Sequence, residues 1–157
     1  MSKILPILIE RLTKDFHVLR DIYILMEEGA WLTKVALEDD DVGQVDKLSA
    51  QRQQYNEFIK AREAEIRATG ELIRNLLGWQ EFSSHRLLME VDAVPMEELS
   101  LVTAEIQEII KSLARIDMTN YHLQQGKVDA GKQLEKLNML KRKASKAYLD
   151  NSFINNP

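Results

Sequence analysis

The chain contains no cysteine, which excludes disulfide scaffolds and thiolate metal sites and suits a reducing compartment. Proline is nearly as scarce, with three residues in 157. None falls between Leu99 and Tyr148, so nothing there interrupts a helix. Long apolar runs are missing too: stretches such as Ile7-Leu8-Ile9 fall far short of the roughly 18 residues of a membrane span, and no membrane insertion is expected. The opening residues lack a charged-then-apolar leader with a small-residue cleavage site, so the expected location is the cytoplasm. Finally, there is no surplus of positive charge. A net charge of −4 argues against nucleic acid as a partner, because neutralising phosphates takes an excess of Lys and Arg on one face. With 45% hydrophobic and 29% charged residues, the chain is too apolar for disorder and too charged for a bilayer, and its length suits one domain over 1–157.

What is present is a seven-residue apolar repeat. In the last third, one register reads Leu99, Ile106, Leu113, Asn120, Lys127, Leu134, Lys141, Tyr148, and the other Val102, Ile109, Ile116, Leu123, Ala130, Leu137, Ala144. Together they draw one stripe along a helix predicted over about 95–149, with Pro95 as its first residue and Glu97 and Glu98 in the first turn. A first helix, about 4–38 with Pro6 in its opening turn, has the seam Leu5, Leu12, Leu19, Met26 alternating with Ile9, Phe16, Tyr23, Ala30. The acidic turn Asp39-Asp40-Asp41 stops it, and Asp41 with Gln44 three residues on resembles a capping box. A second helix then runs over about 42–77 to a stop at Gly78. Its seam, Val45, Arg52, Ile59, Ile66, Ile73 with Leu48, Tyr55, Arg62, Thr69, Leu76, is polar at several layers and buries arginine stems as well as methyls. Between 78 and 94 the pattern breaks, and a short helix or loop is expected to fold back over the others. The predicted fold is all-α: an elongated antiparallel bundle of three long helices with a short helical or loop segment between the second and third.

The helix lengths do not match. The first two should reach about 50 Å and the third about half as long again, so its last ~15–20 residues should project with Leu134, Leu137, Leu140 and Tyr148 uncovered unless the chain forms a homodimer or the middle segment covers the excess. Asn120, Lys127 and Lys141 in the apolar register, and Gly126 and Gly131 nearby, weaken this half at about 1 kcal/mol per glycine. Basic residues also gather here, at Lys132, Lys136, Lys141, Arg142, Lys143 and Lys146. A solvated helix face that complements the negative end of the helix dipole accounts for them more simply than nucleic acid, since no aromatic residues are interleaved for base stacking.

Motifs for chemistry are absent or incomplete. His17, His85 and His122 lie on three different elements, no pair has the spacing of a helical zinc site, and Glu81 to His85 is one residue too long for a di-iron Glu-x-x-His. As a calcium loop, Asp39-Asp40-Asp41-Val42-Gly43 fails because Gln44 replaces the required glycine and Ala50 the required glutamate. His17-Val18-Leu19-Arg20-Asp21 and His122-Leu123-Gln124-Gln125-Gly126 are partial matches to a histidine phosphotransfer site. There is no phosphate loop, nucleophile elbow or reactive cysteine. Neither an enzyme nor a cofactor or metal is expected.

Two stretches resemble the FlgN family of flagellar export chaperones, with FliT-type chaperones close behind. The first, Leu12 to Ile66, holds a Leu-rich helix ending in Leu32, the turn Asp39-Asp40-Asp41, then Val45-Asp46-Lys47-Leu48 and Ile59-Lys60-Ala61-Arg62-Glu63. The second is Ile109-Ile110-Lys111-Ser112-Leu113-Ala114-Arg115-Ile116-Asp117 and a long helix closing with Lys143-Ala144-Ser145-Lys146-Ala147-Tyr148-Leu149 and Phe153. The resemblance implies a cytosolic chaperone that holds the C-terminal helices of hook-filament junction proteins, prevents their early assembly and delivers them to the flagellar type III export apparatus. It implies client binding through Leu123, Leu134, Leu137, Leu140, Tyr148 and Leu149. Lys132, Lys136, Lys141, Arg142 and Lys146 would steer an acidic client helix. A structural coiled-coil homodimer is the competing class, and a phosphotransfer domain a more distant one.

Overall fold

The heptad-bearing stretches are helical throughout. The computed structural model describes the backbone of residues 3–91 and 96–154, and the side chains of that range up to 144 and at 146. Four helices follow in order: α1 (Ile4–Glu38), α2 (Val42–Leu77), α3 (Ser84–Glu90) and α4 (Met96–Ile154). The described residues contain no strand, and none of these helices is long and apolar enough to cross a membrane. Pro95 lies outside the described residues. At its other end α4 runs to Ile154, five residues past the boundary expected near 149, because nothing in the sequence there forces a stop.

Local chemistry sets the helix ends. Pro6 sits in the first turn of α1, where its missing N–H would have no partner. Between α1 and α2, Asp40 takes a left-handed φ of 55°, a conformation that Asp tolerates better than most residues. The Asp41 carboxylate accepts the Gln44 amide at 3.1 Å, capping α2. The reciprocal half of a capping box does not form, since the Asp41 amide already donates to the Ala36 carbonyl at 2.9 Å. Gly78 ends α2 at φ 70°, and the Trp79 amide turns back to the Arg74 carbonyl at 3.0 Å. In α3 the Ser83 hydroxyl accepts the Arg86 amide at 3.2 Å.

Cross-helix pairs give the directions. Asp15 with Arg62 and Arg11 with Glu65 show α2 running antiparallel to α1. His17 with Glu98, Arg20 with Glu105, the Ala30 carbonyl with Asn120 and Asp40 with Lys127 show α4 running parallel to α1. The first helix is thus central, packed on α2 along one side and on α4 along another. Ile9, Leu12, Leu19 and Met26 meet Ile59 and Ile73 of α2, Leu87 of α3, and Leu99, Val102, Ile106, Leu113 and Ile116 of α4. Each such side chain contributes on the order of 1.5–3 kcal/mol by leaving water. On α4 every position of both heptad registers from Leu99 to Lys127 is buried or half-buried, and from Ala130 to Ala144 every one is exposed. Lys127, ion-paired with Asp40 in the α1–α2 turn, marks the end of the bundle.

Candidate docking surface on the projecting helix

Beyond Lys127, α4 continues to Ile154, a further length of about 40 Å at about 1.5 Å per residue. Leu134, Leu137 and Leu140 are 59%, 54% and 62% exposed. With about 100° of turn per residue, these three side chains fall within one third of the helix circumference, and Ala130 and Ala144 lie in the same sector. Leu123 differs from them: it precedes Lys127 and is half-buried in the bundle. The side chains of Tyr148 and Leu149 lie outside the described residues.

Lys132, Lys136, Lys141, Arg142, Lys143 and Lys146 are all exposed. Lys132, Arg142, Lys143 and Lys146 project from the side away from the leucines, Lys136 flanks Leu140, and Lys141 falls among the leucines. Their placement does not fit the dipole explanation. No basic residue occupies the last turn of α4, and the dipole is felt mainly within that turn. Between 128 and 146 stand six of the 21 Lys and Arg and two of the 25 Asp and Glu. The rest of the chain therefore carries 15 basic against 23 acidic residues, and a basic, amphipathic rod projects from an acidic bundle. At Gly126 and Gly131 a side chain would start in open space, with nothing from the rest of the molecule within 4 Å.

Where the rod leaves the bundle, Ala36, Leu37, Val42, Val45 and Val128 line a mainly apolar cleft of about 230 Å³, rimmed by Asp40, Asp41 and Asp46. Sequence reading missed this cleft. Its signal was a pair of valines directly after an acidic turn.

The polar seam positions are structural. Arg52 grips Asp117 with two hydrogen bonds at 3.1 and 2.7 Å, and Arg62 holds Asp15 at 2.9 Å. Buried Asn120 donates to the Ala30 carbonyl at 2.9 Å beside a cavity of about 130 Å³. Its own carbonyl oxygen has no protein partner, and a cavity of that size has room for water to supply one. Of the histidines, His17 bonds Glu98 at 3.1 Å, His122 meets the edge of Tyr121, and His85 is exposed. No group of three His, Asp or Glu among the described residues is placed to hold a metal ion. No family model, curated protein or solved structure matches the chain.

Proposed function

We propose that the protein is a cytosolic chaperone of flagellar type III export, FlgN-like in class. In this reading an elongated bundle of three long helices presents α4 to the C-terminal helices of hook-filament junction proteins, keeps them from assembling and hands them to the export apparatus. It acts by binding, without catalysis. One observation carries the reading: three leucines, each more than half exposed, share one side of a helix that outruns its own bundle. An amphipathic client helix laid on that side would bury them, and the basic residues of the rod would favour an acidic client and speed its approach.

The test is titration of a labelled peptide from the C-terminal helix of such a subunit, followed by fluorescence anisotropy. Leu134→Ala and Leu137→Ala should each weaken binding by roughly 10-fold or more, the equivalent of about 1.5–3 kcal/mol of lost burial. Circular dichroism of the free variants should stay essentially unchanged. Loss of helix content on substitution would place the leucines in the fold instead, and unaltered affinity would remove them from the binding surface.

A further inference from the structure

We infer that the uncovered stripe of α4 pairs with the same stripe of a second copy of this chain, antiparallel, about a two-fold axis at Leu137. Three independent features lead there. The first is spacing. Ala130, Leu134, Leu137, Leu140 and Ala144 stand four, three, three and four residues apart, a pattern that reads the same from either end. Two such helices turned head to tail set Leu137 against Leu137, Leu134 against Leu140 and Ala130 against Ala144, so each contact is made twice and the surface closes on itself.

Reach is the second. With the axis at Leu137, residue 147 of the second copy comes level with Lys127, where the bundle ends. The paired positions from Ala130 to Ala144 therefore all lie past the bundle, where each is exposed. The third feature is the placement of like charge. Lys132, Arg142, Lys143 and Lys146 lie on the side of α4 away from the leucines and face water in this pairing, and Lys141, which falls within the stripe, comes level with Gln133 of the other copy and not with another basic residue.

The inference goes beyond the chaperone reading and needs no client. If both hold, a client helix displaces the second copy, and the stripe is never left bare. The chain has no native cysteine, which allows a clean test on the full-length protein. Ala130→Cys and Ala144→Cys are made separately and treated, alone and mixed, with a short thiol-to-thiol cross-linker. Antiparallel pairing about Leu137 puts residue 130 against residue 144 and holds the two copies of residue 130 about 21 Å apart. The mixture should therefore cross-link, and neither variant alone should. Sedimentation equilibrium of the unmodified chain should give twice the monomer mass at micromolar concentration, and Leu137→Asp should return it to monomer without loss of helix content. Self-cross-linking of each single variant would mean parallel pairing and would overturn the proposal. So would a chain that stays monomeric across the concentration range, including one that stays monomeric while binding an acidic peptide helix or anionic vesicles through the same leucines.

Discussion

Tyr23 lies half-buried on α1. Loss of water around the phenol, reinforced by Glu63 and opposed by Arg52, raises its pKa above the ordinary 10.0. In the unfolded chain the phenol ionises first, so stability is unaffected below pH 10 and falls as the pH rises from there through the folded value. Urea unfolding midpoints should drop as the pH is raised above about 10 in the native chain, and Tyr23→Phe should flatten that part of the drop. An identical slope in the variant would show that the phenol takes no part. Asp15 is 8% exposed and holds Arg62 at 2.9 Å, while its second carboxylate oxygen has no partner. Asp15→Ala removes a charged hydrogen bond but leaves Arg62 able to reach water, so the expected cost is on the order of 1–2 kcal/mol, read from the same unfolding curves. That arginines at positions 52 and 62 belong to the seam was legible from the repeat. Their partners were not, because Asp15 and Asp117 are remote in sequence and nothing in a heptad specifies which carboxylate faces which layer.

Within single elements, α4 divides into a packed half and a bare half, and its glycines fall at the division. Gly126→Ala and Gly131→Ala add a side chain into open space. Each should stabilise the rod by about 1 kcal/mol. Amide hydrogen exchange should slow from about residue 124 onward and stay unchanged in α1 and α2. Gly70 behaves in the opposite way. It is buried in α2, and a Cβ there would stand 2.6 Å from the Phe82 ring, so Gly70→Ala should push Phe82 off the bundle and lower the thermal midpoint. The seams of all three long helices could be read from period alone, because burial follows the repeat wherever a neighbour exists. The segment from 78 to 94 could not. Phe82 fits over Gly70 through shape, and Leu87 of α3 becomes fully buried although a seven-residue helix is too short to display a period. The one hint was a glycine in a helix interior, where it is costly without a packing reason.

For the whole molecule, the length mismatch was legible by counting residues, and with it the position of the leucines now seen to be exposed. The cleft beside Val42 was not, since it forms only where the end of α1, the start of α2 and the middle of α4 come together. Because no described side chain beyond Lys127 is buried, a chain ended after that residue should melt within a few degrees of the full-length protein. A large drop would show that the rod supports the bundle. The directions of the helices carry one more consequence. Asp15 and Arg62 are 47 residues apart, whereas His17 with Glu98 and Asn120 with the Ala30 carbonyl span 81 and 90. Closing the shorter loops costs less chain entropy, so the first two helices should zip into a hairpin before the last one docks. Until α4 is translated, a nascent chain would then leave bare the side of α1 that α4 comes to cover.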